Sequence, residues 1–249
     1  MRYDGVLLCS DFDGTLAVDS KVSKENLDAI KMFQANGGKF TLATGRTPYY
    51  IADSVNDLTV NAPMICVNGA SIYDCSANKE LYSLPLGDTS SFAKDIFCHD
   101  DCQSVRLVFG DYSTLTVEKG NVELLEKHLG DHIYKLVYVF NGTDAPIENL
   151  NRYKDKFGHK FYFSRSWAYS LEVLDLNATK GELLKRLKVM LPDVDLTVGI
   201  GDFDNDLPLV SQADIGYAVA NAVESVKAAA DRITVSCDEH AIAKIIYEL

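Results

Sequence analysis

The sequence predicts an α/β fold: a Rossmann-like core on a parallel sheet, with a smaller α+β domain inserted into it. Three observations support this. A short unbroken apolar run at 6–9 and apolar-rich runs at 63–67 and 196–200 read as strands buried on both faces. Each ends in a Gly, Asp or Asn turn, and helical patterns separate the successive strands, as in βαβ units. Between these stretches, over 85–174, strands alternate apolar with polar residues, as in Tyr134-Lys135-Leu136-Val137-Tyr138-Val139. That pattern suits a sheet with one exposed face.

In chain order, the first strand (6–9) runs into Asp11-Phe12-Asp13-Gly14-Thr15-Leu16. A helix follows over 22–36, with Leu27, Ile30, Met32 and Phe33 apolar, Ser23 as a cap and Gly37-Gly38 as its end. A second strand covers 39–44 and breaks at Gly45-Arg46. Thr47 as cap and Pro48 at the first helical position start a helix to about Leu58. The third strand (63–67) stops at Asn68-Gly69, and 71–74 with 80–84 form an antiparallel extension. The insertion reads helix 88–99, strands 104–109 and 113–118, helix 121–130, strand 134–140, helix 144–157, then strands 160–164 and 168–174. The βαβ pattern resumes with helix 179–191, strand 196–200, an acidic loop, a helix to about Gln212 and strand 215–219. Helix 222–230, strand 233–235 and helix 240–248 finish the chain. The expected core is therefore 1–84 with 175–249, and the inserted domain is 85–174.

Composition narrows the function. The chain has 249 residues and a net charge of −12, which disfavours nucleic acid and anionic membranes as partners. Phosphorylated small molecules stay open, because a metal and one or two lysines reverse the local field. No apolar run approaches membrane-spanning length and no secretory leader pattern is present, so a cytoplasmic protein is expected. The six cysteines read as reduced thiols. Cys98-His99-Asp100-Asp101-Cys102 resembles a metal motif only superficially, since no second ligand pair has matching spacing.

The chemistry gathers where parallel strands end. Open α/β sheets bind ligands at the carboxyl edge. Continued strand geometry would point Asp11 and Asp13 into one site there. Thr44-Gly45-Arg46 and Gly201-Asp202-Phe203-Asp204-Asn205-Asp206 follow two further strands, and Lys180 opens the helix before the second of these. Gathered carboxylates call for a hard divalent cation such as Mg²⁺. A hydroxyl, glycine amides and a lysine suit phosphate. Metal-assisted phosphoryl transfer follows from these residue types, and the lack of a Walker loop disfavours nucleoside triphosphate hydrolysis. Taken singly, the same residues read more simply. Thr44 is then a strand-end cap, Lys180 a solvated helix charge, and the late aspartates a helix-entry cluster.

DFDGTL, LATGR, the lysine in NATKG and GDFDND, in that order, resemble the four motifs of the haloacid dehalogenase (HAD) superfamily of aspartate-nucleophile phosphatases. With the insertion between the second and third motifs and VNGASIYD at 67–74, the chain resembles the Cof-type, class IIB sugar-phosphatase-like branch. The resemblance implies a HAD core with a C2B-type cap and an aspartyl-phosphate mechanism acting on small organic phosphomonoesters. It implies Asp11 as nucleophile, Asp13 as general acid and base, and Lys180 as charge partner. Phosphate contacts would come from the Phe12 and Asp13 amides, Thr44, Gly45, Arg46, Lys180 and Asn205. Mg²⁺ ligands would be the carboxylates of Asp11 and Asp202 and the carbonyl of Asp13, with Asp206 acting through water. Arg46 would touch either substrate or the carboxylates.

Two departures stand out. Asn221 keeps its place in GYAVANA although the usual glycine before it is lost. GDFDND is shorter than in phosphomannomutase-like relatives, which makes hydrolysis the better expectation than phosphosugar mutase or phosphotransferase activity. A non-catalytic phosphometabolite-binding protein is the remaining alternative. The insertion is expected to act as a lid, with Arg106, Tyr138, Tyr162, Arg165 and Trp167 as candidate substrate-facing residues or as ordinary packing. Substrate identity and oligomeric state stay open at this level.

Overall fold

The computed structural model describes residues 1–54 and 57–249. Strand β1 (Val6–Ser10) is buried on both faces after its first residue. A hairpin of β2 (Ala17–Val18) and β3 (Lys21–Val22) leads to α1 (Lys24–Ala35). Ser23 caps α1 by accepting from the Asn26 amide, and Gly37 beyond its end has a positive φ. Next come β4 (Lys39–Leu42), α2 (Pro48–Ser54), β5 (Met64–Cys66) and the antiparallel pair β6 (Ser71–Asp74) and β7 (Lys79–Ser83). The helix expected to reach about Leu58 is seen to Ser54, and its continuation over 55 and 56 lies outside the described residues.

The second stretch holds α3 (Ala93–Phe97), β8 (Cys102–Phe109), β9 (Thr114–Glu118) and α4 (Val122–His128). It continues with β10 (Ile133–Phe140), α5 (Asp144–Phe157), β11 (Phe161–Ser164) and β12 (Ser170–Asp175). The chain ends with α6 (Lys180–Met190), β13 (Leu196–Gly201), α7 (Leu207–Gln212) and β14 (Ile215–Ala218). Last are α8 (Glu224–Ala229), β15 (Arg232–Ile233) and α9 (Ala241–Glu248). Met1–Tyr82 with Thr179–Leu249 form one compact unit, and Ser83–Ala178 form another.

The first unit is a parallel sheet in the order β15-β14-β13-β1-β4. A parallel bridge between Ala43 and Ile65 adds β5 beside β4. Numbered along the chain, the parallel strands lie 3-2-1-4-5-6, the doubly wound order, and the order reverses between β1 and β13. In that register Ser10 faces Ile200, so the chain leaves both strands side by side at the reversal. The fold is the α/β, Rossmann-like class predicted.

The second unit is an antiparallel sheet in the order β11-β12-β10-β8-β9, with α3, α4 and α5 contributing to its apolar core. Phe92 centres that core, its ring 4.9 Å from Phe157 and 5.2 Å from Phe161. Two expectations change here. The helix expected over 88–99 is confined to α3, and the Asp88 carboxylate accepts from the Ser90 amide in a local turn before it. Central strand β10 is buried almost throughout rather than exposed on one face. Its charged Lys135 is itself buried, paired at 3.2 Å with buried Glu172 of β12. Tyr138 is a packing residue, fully buried with its hydroxyl donating to the Ala93 carbonyl.

Candidate active site

The site is built where β1 and β13 end. The Asp11 amide donates to the Ile200 carbonyl at 2.9 Å, which extends the β1–β13 ladder by one bond and fixes Asp11 beside the end of β13. The strand stops at Ser10, so the alternation expected to aim Asp11 and Asp13 together does not continue. Asp11 turns inward and is buried, whereas the Asp13 side chain is about 44% exposed. Between them the chain folds back on itself, the Phe12 carbonyl accepting from the Leu16 and Ala17 amides. Among the described residues, the Phe12 and Asp13 amides donate to no group of the chain.

Lys180, fully buried at the first position of α6, donates to Asp11 Oδ1 at 2.6 Å and to Asp206 Oδ1. It is aimed by the Thr179 cap, whose side chain accepts from the Glu182 amide. The other oxygen of Asp206 accepts from the Asp202 and Phe203 amides, at 2.9 and 3.1 Å, and so folds the acidic loop. That closeness requires Gly201: a Cβ there would lie 2.3 Å from the Asp206 Cβ. Asp202 in turn accepts from Thr15 Oγ1 at 2.7 Å.

Asp11, Asp202 and Asp206 offer carboxylate oxygens within 4.8 Å of one another, the one such group of three or more His, Cys, Asp or Glu side chains among the described residues. Cys98 and Cys102 take part in none, and burial pushes the Cys102 thiol up to about 12. Three carboxylates against one ammonium leave two uncompensated negative charges, the charge of a divalent cation. The proton affinities register this. Burial and the neighbouring Asp206 push Asp202 up to about 7. Burial, then repulsion from Asp206, raises Asp11 well above the usual carboxylate range, and Lys180 offsets only part of that rise. For Lys180 itself burial works downward, but Asp11 and Asp206 outweigh it and hold the ammonium above its ordinary value.

On the β4 side, Thr44 is buried and its Oγ1 accepts from the Arg46 amide at 3.1 Å. Gly45 lies against Asn68, and Asn205 Nδ2 donates to Asn68 Oδ1 at 3.1 Å. Asn68 and Thr15 are therefore site residues that the sequence reading did not single out. The Asn68-Gly69 pair after a strand was a signal for a left-handed turn, and Asn68 does adopt φ 57°. Arg46 forks the Asp13 carboxylate, Nε to Oδ2 at 2.9 Å and Nη2 to Oδ1 at 3.0 Å. Asn221 is a structural tie: its Nδ2 donates to the Gly14 carbonyl and its Oδ1 accepts from the Cys237 amide.

The model for haloacid dehalogenase-like hydrolases matches residues 8–246, which is nearly the entire chain. The chain belongs to this family. The Bacillus subtilis protein YxeH is 32% identical, covering 98% of this chain and 97% of its own. The Bacillus subtilis phosphatase YwpJ is 28% identical over 98% and 99%. A haloacid dehalogenase-like hydrolase from B. subtilis has a similar fold, with a TM-score of 0.81 at 21% identity over 98% and 99% of the two chains. The HAD subclass IIB sugar phosphatase BT4131 superposes with a TM-score of 0.78 at 20% identity, covering 97% and 98%. The chain is thus an enzyme of the phosphatase-bearing HAD hydrolases with the class IIB architecture that its motifs resemble.

Proposed function

We propose that this HAD phosphatase hydrolyses small organic phosphomonoesters, sugar phosphates or related metabolites, through an Asp11 aspartyl-phosphate in a Mg²⁺-dependent reaction. The observation that carries the reading is the Asp11 carboxylate at the strand-order reversal, bonded to buried Lys180 within a three-carboxylate cluster of excess negative charge. The donor set, all oxygen, fits a hard divalent cation. Asp11, Asp202 and the Asp13 carbonyl would hold it, with Asp206 behind them through water. When bound, the cation supplies the charge compensation that lets a dianionic phosphate approach an ionised aspartate.

The residues divide the work. Asp11 attacks phosphorus as a carboxylate, and its P–O bond forms as the bond to the leaving oxygen breaks. Asp13 gives that oxygen a proton. It then takes one from the water that cleaves the aspartyl-phosphate, a role worth about 10²–10⁴-fold. Lys180 orients Asp11 and, together with a bound cation, would favour its ionised form. The Phe12 and Asp13 amides, with Thr44, Gly45 and Asn205, are the donors set to take phosphate oxygens.

Asp11→Asn should lower phosphate release from p-nitrophenyl phosphate with Mg²⁺ by about 10³-fold or more. A rate near wild type would overturn the nucleophile assignment. The physiological substrate is best sought by a phosphate-release screen over phosphorylated sugars, nucleotides and cofactors, ranked by kcat/KM.

A further inference from the structure

We propose that Arg46, seated on the ring of Tyr50, is a positioning residue that holds the Asp13 carboxylate in register for proton transfer and does not grip the substrate phosphate. This rests on the phosphatase reading above. Both Asp13 oxygens are engaged by the Arg46 fork, Nε and Nη2 taking one each at 2.9 and 3.0 Å. A planar guanidinium matched to a carboxylate in this way fixes its orientation as well as its distance.

The guanidinium is itself held in place. Its Cζ lies 4.2 Å from the centroid of the Tyr50 ring, a cation–π seat. The Tyr50 hydroxyl meets Ser20 Oγ at 3.2 Å, and Asp19 and Ser20 form the left-handed turn between β2 and β3. The main chain of Arg46 is pinned at both ends: its amide donates to Thr44 Oγ1, and its carbonyl accepts from the Val67 amide at 3.1 Å. Asp13, by contrast, lies past the strand end with its side chain about 44% exposed, and no other side chain among the described residues bonds its carboxylate. Without Arg46 it would sample several rotamers. A catalytic group loses effective molarity steeply when its position is not fixed.

With an activated ester the departing phenolate needs no proton, so Asp13 is required chiefly at the second stage of the cycle. The fork sets the Asp13 oxygens to take a proton from water. As that O–H bond breaks, the water oxygen bonds to phosphorus. The P–O bond to Asp11 breaks, its electron pair returns to the Asp11 carboxylate, and inorganic phosphate is released. Asp13 then carries the proton for the next leaving oxygen. Loss of Arg46 should therefore slow breakdown of the aspartyl-phosphate more than its formation from an activated ester.

Rapid-mixing kinetics with p-nitrophenyl phosphate and Mg²⁺ separate the two steps. Arg46→Ala should release p-nitrophenolate in a burst approaching one per enzyme, then turn over about 10–100-fold more slowly than wild type. Its inhibition constant for inorganic phosphate should stay within about threefold, because no phosphate ligand has been lost. Tyr50→Leu should give a weaker form of the same burst, and Tyr50→Phe, which keeps the ring, should stay close to wild type. A tenfold or greater loss of phosphate inhibition without a burst would overturn the proposal in favour of a phosphate-gripping Arg46. Unchanged kinetics in Arg46→Ala would overturn it as well. Failure of the underlying reading looks different: Asp11→Asn would then keep its activity, whatever Arg46 does.

Discussion

Asn68 and Val67 both hold positive φ, 57° and 52°, directly after β5. Asn tolerates that region, but a β-branched valine there is a true outlier costing about 1–2 kcal/mol. The strain persists because the turn is held from several sides. The Asn68 amide donates to the Thr44 carbonyl at 2.9 Å, and its side-chain oxygen accepts from Asn205. Asn68→Ala should cost about 1–3 kcal/mol, from the left-handed backbone and the buried Asn205 amide deprived of this acceptor. An unchanged urea midpoint would contradict that. Single residues of this kind are hard to read in a sequence. Asp11 was legible because an apolar run announces the strand it ends. The parting of Asp13 from Asp11 was not, because nothing local says that the strand stops at Ser10. The partners of Arg46 and Asn221 were equally hidden, since each contact closes across a long stretch of chain. Thr15 to Asp202, for example, spans 187 positions.

At the scale of elements, the buried strands were legible wherever both faces are apolar, as in β1, β5 and β13. Turn residues placed the starts of α1, α2 and α7 within a few positions. The failures have physical causes. Lys135 and Glu172 make their strands look half-exposed, yet they bury one another as an ion pair, and a sequence shows charge without showing pairing. The segment before α3 carries helical spacing, but it is spent on turns, the Phe92 and Ala93 amides both donating to the Thr89 carbonyl. The join between β5 and α6 also became visible only in three dimensions. Gly69 has φ 102°, and a Cβ on it would lie 2.4 Å from the Thr179 carbonyl carbon, one residue before Lys180. Gly69→Ala should therefore destabilise the protein by about 1–3 kcal/mol through overpacking and backbone strain. By pushing the start of α6 it should also lower kcat for p-nitrophenyl phosphate. A normal Tm together with normal kcat would show that α6 is not seated through this contact.

For the molecule as a whole, stability and metal affinity are joined through the carboxylate cluster. Without metal, burial and Asp206 hold Asp202 at about 7 in the fold, against 3.8 as the ordinary value. Between those two values the native state carries a proton that the unfolded chain has given up. The native protein thus binds more protons than the unfolded one, and this group's contribution to stability falls as pH rises from about 4 to about 7. Asp11 shifts in the same direction. A divalent cation favours the ionised carboxylates, so its binding displaces protons below pH 7 and displaces none from Asp202 well above it. At pH 5.5 the cost of removing that proton is about 1.5 pH units, or about 2 kcal/mol, which weakens Mg²⁺ binding by about 30-fold relative to pH 8. The expected outcome is a metal-free Tm contribution that declines from pH 4 to 7, and a Mg²⁺-induced rise in Tm that is larger at pH 8 than at pH 5.5. Calorimetric titration at pH 6 in buffers of different ionisation enthalpy should show proton release on Mg²⁺ binding. In Asp202→Asn that release should shrink and the Tm rise should be lost. Equal Tm gains at both pH values, with no protons released, would separate the metal site from Asp202.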